Sequence, residues 1–436
     1  FLNLFTKPDV MLRRIVTYIS ISFIFSLPLS AQDILSLQED FLEAEYFFMN
    51  EDYQDALPYY LQLYEKVPDN ANIASRIGSC YLNINGMKNL SIDYLETAVK
   101  NLSAKHKEGT ITQVSASYEA LYDLGKAYLV NYKFDQAKEA FTRYSGTLLP
   151  DDRENIGFIS QQIKSCDNAK DLIARPVSFA SENMGGLFND ARSNFYPLIS
   201  ADGKSFAFMV SLKFYDAIML SKLVNGKWTP PVNITPELQS DGDMYISCLS
   251  PDGTTLFLSK DDNYNSDIYT SSFDGMTWRQ TVKLNRNINT SYWESHAFIS
   301  DNGELLIFAS DRPGGFGGLD LYLSRKVNGD WSPAVNLGPE INSPFNEDRP
   351  FLINQGKTLF FSSQGHETMG GYDLFRSDLQ SNDLWSNPQN LGYPINTPDD
   401  NIFFMPVNNG SSGYYSMTRE TDNFGLEDIY KITFNK

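Results

Sequence analysis

One phrase returns five times between residues 176 and 436, and no other feature of the chain restricts its fold so strongly. It consists of an apolar stretch, an Asp/Asn-Gly turn, a second apolar stretch, a loop and an aspartate that opens a third apolar stretch. The clearest copies are PLISADGKSFAFMV (197–210), CLSPDGTTLFLS (248–259), FISDNGELLIFAS (298–310) and FLINQGKTLFFSS (351–363). Asp216, Asp267, Asp320, Asp373 and Asp428 follow at steps of 51, 53, 53 and 55, and Trp228, Trp278, Trp331 and Trp385 lie 50, 53 and 54 apart. A period near fifty with four short strands per unit predicts an all-β propeller of five blades. One such unit cannot bury both faces of its sheet, so the copies must stack around a common axis.

Blade three reads strand by strand: SHAFIS is the inner strand, ELLIFAS the second, DLYLSRKVNG the third and WSPAVNLG the outer one. Asp301, Asn302 and Gly303 suit a hairpin with positive φ. The glycine-rich loop RPGGFGG (312–318) can fold back so that Asp320 accepts backbone hydrogen bonds, which makes the five recurring aspartates structural. After IYKITFNK the fifth blade lacks an outer strand, while residues 176–197 align with 334–351. Residues 176–180 are therefore expected to pair with 428–434 and close the ring, removing two exposed sheet edges.

Ahead of the propeller, residues 37–150 carry a shorter repeat, seen by superposing Ala56, Leu90 and Ala137. Twelve residues earlier stand Ala44, Gly78 and Gly125, and four later Tyr60, Tyr94 and Phe141. Small residues let paired helices approach, and aromatics fill the space between pairs. The steps are 34 and 47, so 13 residues are inserted, and the polar segment AKHKEGTITQ (104–113) is the expected place. Residues 151–169 read as a capping helix and 171–175 as a short linker. The resulting organisation is an upstream segment (1–31), an all-α unit (32–170), the linker and the propeller (176–436).

These helical units resemble tetratricopeptide repeats through Gly78, Tyr81, Gly125, Tyr128 and Ala137, with Pro68 ending the first unit and Asp40 and Glu43 departing from the pattern. The resemblance implies a concave groove lined by Gln38, Phe41, Glu45, Asn72, Ser75, Ser79, Glu119, Tyr122 and Lys126, of the kind that binds peptides or protein segments in that family. The phrase SPDG, DIY and W..P..NLG..IN is similar to the WD40-like PD40 repeat of the periplasmic TolB propeller, with DAIML replacing DIY in blade one and NNGSSG replacing the DG turn in blade five. The combination looks like the front half of envelope proteins of gliding and type IX secreting bacteria. Those proteins often continue into an OmpA-like domain, which the resemblance does not cover, so direct cell-wall anchoring is not expected.

With 436 residues and 42% hydrophobic content, the chain can bury two cores. Its formal charge of -19 argues against nucleic acid as a partner. From Met11, two arginines, the apolar stretch Ile15 to Leu29, and Ser30 and Ala31 before Gln32 read as a secretory signal peptide, too short and interrupted to span a bilayer. Its removal would take away Lys7, Arg13, Arg14 and Asp9, shifting the charge to about -21. Cys80, Cys166 and Cys248 make no disulfide framework, although a Cys80–Cys166 bridge stays open.

His106, His296 and His366 are scattered, without metal-site spacing, and each reads as an ordinary polar residue. No G-x-S-x-G elbow, P-loop or dinucleotide fingerprint occurs, and neither a cofactor nor a metal is expected. One acidic loop, DDNYNSD (261–267), could wrap calcium through its oxygens but lacks a full ligand pattern, which leaves that site open. Asp243, Glu294, Asp348 and Asp400 stand at what reads as one repeat position beside the inner strands, with Tyr196 and Arg349 nearby, giving a polar ring at one mouth of the channel. Repetition in every blade favours structure over catalysis, which needs different residues in different roles. The expected function is a non-catalytic periplasmic scaffold for envelope or outer-membrane proteins. Binding of a carbohydrate or peptidoglycan fragment at the mouth is the alternative, and a glycoside-active propeller the second.

Overall fold

A computed structural model of the chain describes residues 31–261, 265–381, 383–419 and 421–435. The leader-like segment before residue 31 and the centre of the DDNYNSD loop (262–264) lie outside them. The described part is an all-α unit followed by a five-bladed β-propeller.

The all-α unit holds α1 (Ala31–Met49), α2 (Tyr53–Lys66), α3 (Ala71–Asn83), α4 (Ser91–Ala98), α5 (Glu119–Val130), α6 (Phe134–Ser145) and α7 (Arg153–Ile173). They stack as three helix pairs, each on the next, with α7 against α6. Asn70 starts α3 by accepting the Asn72 and Ile73 amides, and Asp152 caps α7 through the Asn155 amide. The small residues act as spacing requires. A Cβ at Gly125 would come within 2.5 Å of the Phe141 ring, and one at Gly78 would collide with Leu95. Leu90, superposed on Ala56 and Ala137, is instead exposed in a 3₁₀ turn before α4. Helix α7 runs to Ile173, so most of the expected 171–175 linker is helical.

Each blade is one sheet. The inner strands Asn194–Ile199, Met244–Leu249, Glu294–Ile299, Glu347–Ile353 and Met405–Val407 line the axis and contact their neighbours around the ring. The aromatic core between blades includes Phe206, Phe208, Phe308, Phe361 and Phe375. Ser200, Ser250 and Ser300 donate to Asp202, Asp252 and Asn302 across each first turn, at 2.6, 2.6 and 2.7 Å. The glycines that follow take φ of 66–74°, the left-handed conformation these turns need.

The outer strand of blade five is Phe179–Asn183, antiparallel to Asp428–Phe434 with Phe179 opposite Phe434. The closing strand thus lies three residues beyond the expected 176–180. Val177 is engaged elsewhere, its amide donating to the Tyr393 carbonyl of blade four at 2.7 Å, and Pro176 has no amide to give a ladder.

The two units are docked. Thr368 in blade four is fully buried and accepts from Gln161 (3.2 Å), exchanges a bond with Ser165 (2.9 Å), and offers its carbonyl to Asn168 (2.8 Å). Phe158 meets Phe345, Tyr132 meets Tyr393, and Lys88 pairs with Asp399.

Candidate functional site

Inner strands slip by a β-bulge against their neighbours, between Phe195 and Leu198, Ser295 and Phe298, and Asp348 and Phe351. In these three blades the bulged residue is large and left-handed: Tyr196 (φ 50°), His296 (φ 50°) and Arg349 (φ 46°). Such backbone costs about 1–3 kcal/mol per residue, and a bulge re-aims its side chain. The re-aimed groups meet. Arg349 Nη2 donates to the Tyr196 hydroxyl at 2.7 Å, its guanidinium lies 4.1 Å from the Tyr196 ring centroid, and Tyr196 stacks on Phe403 at 5.1 Å. His296 Nδ1 donates to Asp348 Oδ1 at 2.7 Å, a carboxylate oxygen that also accepts the Arg349 amide.

Burial pushes the Asp348 carboxyl up, but His296 and Arg349 outweigh it and hold it below the ordinary carboxylate value. Burial, aided by Arg349, lowers the His296 pKa against the pull of Asp348, which favours the neutral ring. Tyr245 nearby is pushed up to about 12, by burial and then by Asp216.

Above Tyr196 and Phe403 opens a cavity of 790 Å³ shared by the two units. The α3–α4 loop contributes Asn85, Lys88 and Asn89, and the propeller contributes Asp399, Asp400, Tyr415 and Glu427 among others. Burial pushes the Glu427 carboxyl up to about 7. Among the described residues Lys88 is the one basic group of the lining and it pairs with Asp399, so Asp400 gives the cavity an acidic edge, to which Glu427 adds charge only as pH rises through about 7.

Of the sequence-predicted mouth residues, Tyr196, Asp348 and Arg349 come together and Asp400 lines the cavity above. Asp243 instead pairs with Lys260. Glu294 is fully buried, accepting from Thr290 N, the Thr290 and Ser310 hydroxyls and Arg312. The four acids do not share one repeat position. The partner of Glu294 in register is Glu347, which holds Ser343 and Ser363 in the same way, and Asn401 accepts the Thr397 amide likewise. These three clasp the loop before each inner strand. Asp348, one residue on, falls on the opposite face because side chains alternate along a strand. His296 departs from its reading as an ordinary polar residue; the only sequence signal for it was alignment with Tyr196 and Arg349 through the bulge.

The recurring aspartates hold the loops. Asp320 accepts the Phe316 and Gly317 amides and Asn336; Asp373 the Met369 amide and Asn390; Asp428 the Phe424 amide and Asn183. Asp267 pairs with Lys283, and Asp216 accepts from Ser211. Asp373 is driven by burial to about 8. Reasoning from sequence passed over the asparagines that end the IN and FN pairs of the motif. Asn189, Asn289, Asn342 and Asn396 each bond both the amide and the carbonyl of the first apolar residue in the third strand. Their recurrence in register was the available signal.

The helical groove is not open along its length. Phe41, Glu45, Asn72 and Ser79 are buried. Glu45 binds Arg76 and the Tyr60 hydroxyl, and Ser79 donates to Asp123. The inserted segment folds back over the first two pairs. Gln38 bonds its Gly109 carbonyl and Ile111 amide, and Val114 accepts the Asn72 amide. Tyr122 and Lys126 line a small gap facing Asp399 and Asp400 of the propeller. Ser75 is half-buried, and Glu119 remains exposed. His106 bonds the Ser115 carbonyl and His366 the Ile341 carbonyl. Cys80, Cys166 and Cys248 are buried and free. Among the described residues, no group of three or more His, Cys, Asp and Glu could hold a metal ion, and no helix is long and apolar enough to cross a membrane.

No family model matches the chain, and no curated protein matches its sequence. Among solved structures it is similar to TolB from Acinetobacter baumannii, at 20% identity over 56% of this chain and 55% of that one, with a TM-score of 0.37. The match thus spans about half the length of that protein. It is also similar to a putative TolB from Agrobacterium tumefaciens (17% identity, 57% and 78% covered, TM-score 0.35) and to an α-L-arabinofuranosidase from Lactobacillus brevis (13%, 58% and 92%, 0.39).

Proposed function

We propose that the protein is a non-catalytic scaffold of the cell envelope that holds a polar, basic segment of a partner protein in the cavity between the α3–α4 loop and the propeller mouth. The carrying observation is that cavity. It is 790 Å³ in volume, built jointly by two docked repeat units, and edged by Asp400 and Glu427 with its one lysine already paired. A charged segment gains orientation and on-rate from such a lining. Glycoside hydrolysis needs two carboxyls flanking one bond, and the ring of four acids expected from the sequence does not supply such a pair. Asp243, Glu294 and Asp348 are each committed to a partner within the fold. The periplasmic location rests on the leader-like residues 11–31, and a setting in type IX secretion or gliding on the repeat resemblance.

A second reading, capture of a glycan or peptidoglycan fragment, is favoured by the half-buried Phe195 and Tyr415 rings beside Asn401 and Asp400 in the same cavity. A photo-crosslinking residue in place of Asn89 or Ser416, activated in intact cells, separates the two. An adduct with an envelope protein, lost when Ser193→Trp fills the cavity, is the expected result. Glycan adducts alone, or none, would overturn the scaffold reading.

A further inference from the structure

Among the described residues α1 ends the helical stack on the side away from α7, and it carries a feature that the cavity does not explain. Helix α1 buries Leu37, Phe41 and Ala44 against α2, while Leu35, Leu42, Tyr46 and Met49 on its other side are 65%, 50%, 64% and 79% exposed. Their steps of seven, four and three residues place them in one stripe along the helix. At the opposite end of the stack α7 covers the last pair, with Ile159 and Cys166 buried beside Phe141. Stacked repeats need a polar outer face at each end, and α1 presents an apolar one.

What would cover it follows from charge. The exposed Glu39 and Glu43 border one edge of the stripe, and the helix contains no lysine, arginine or histidine. A second copy of α1 laid antiparallel against the first would oppose carboxylate to carboxylate, and one laid parallel would bring no basic residue to either acidic edge. A contiguous exposed apolar face of this kind marks an interaction surface, and its acidic border selects the sign of the occupant. We infer that the outer face of α1 docks an amphipathic helix of a partner, apolar along its contact stripe and flanked by lysine or arginine. This rests on the scaffold reading above and adds a second docking surface, at the end of the stack remote from α7.

The test uses the full chain and two designed helical peptides with the same leucine stripe, one flanked by lysines and the other by glutamates, followed by fluorescence anisotropy at low and physiological salt. The lysine peptide should bind and the glutamate peptide should not. Leu42→Glu with Tyr46→Glu, both at exposed positions, should weaken binding at least about tenfold. Glu39→Lys with Glu43→Lys should weaken it about threefold to tenfold, more at low salt. Equal binding of the two peptides, or lysine-peptide binding untouched by Leu42→Glu with Tyr46→Glu, would overturn the inference. So would concentration-dependent dimers in sedimentation that this double variant dissolves, which would make a second copy the occupant. Asp400→Lys alters the propeller side of the cavity and does not touch α1, so peptide binding that survives it while crosslinking from Asn89 is lost keeps the two readings separate.

Discussion

The helical unit and the propeller are both stacks of repeats, but one is closed and the other open. In the ring every blade face is covered, and the first strand, Phe179–Asn183, returns to seal the last sheet. The residues that stand out there are strained ones, Tyr196, His296 and Arg349, held in left-handed backbone and turned toward the axis. In the stack the residues that stand out are at its ends, where α7 meets blade four and α1 meets solvent. Closure thus moves the informative irregularities to the axis, and openness moves them to the termini.

The largest expected effect comes from breaking closure. Deleting residues 176–183 removes the outer strand of blade five and should abolish cooperative thermal unfolding of the propeller in calorimetry. A transition that survives unchanged would show that the closing strand is dispensable. Next come matched core truncations. Phe361→Ala and Phe141→Ala should each cost about 3–5 kcal/mol, since both rings are buried. Native-state hydrogen exchange should show the first loss spread over the ring and the second confined to α5, α6 and α7, because a stack couples only neighbours. Smaller still is the loss of a loop tie. Asn342→Ala leaves the buried Leu321 amide and carbonyl without that partner and should cost about 1–3 kcal/mol by urea titration, against about 1 kcal/mol for the Asn70→Ala cap of α3.

The pH response should also divide. Burial pushes Glu347 and Glu427 up to about 7 and Asp373 to about 8, all in the ring. The folded state therefore keeps protons that the unfolded chain has released. The stability this gives is present at acid pH and is lost as pH rises from the ordinary carboxylate range to about 8. His296 and His366 are lowered from 6.5, by burial first, so their contribution is present above 6.5 and lost as pH falls below it. Urea midpoints across this range should show both arms, and Glu347→Gln with Asp373→Asn should flatten the alkaline one. The smallest effect belongs to the docking ion pair: Lys88→Ala should cost at most about 1 kcal/mol, because Asp399 is well exposed.

Much of this was legible from spacing. Fixed intervals marked the blades, the opening aspartates and the helix pairs, since each reflects a local geometry repeated in register. The bulges were not legible, because Tyr196, His296 and Arg349 share a conformation and no chemistry. Nor was the clasp of Glu294 and Glu347, which only strand pairing separates from its neighbour Asp348. The groove was misjudged for another reason: the insertion between α4 and α5 looks like a polar loop in sequence, and only its hydrogen bonds to Gln38 and Asn72 show where it lies.

The sequence by itself determined that two repeat architectures follow one another and where each repeat begins, because turn chemistry and apolar periodicity act over a few residues. The tertiary structure decided which strand closes the ring, how α7 seats on Thr368 and which side chains share the cavity. Those outcomes depend on groups as far apart as Lys88 and Asp399 being brought into contact, and no local pattern records that distance.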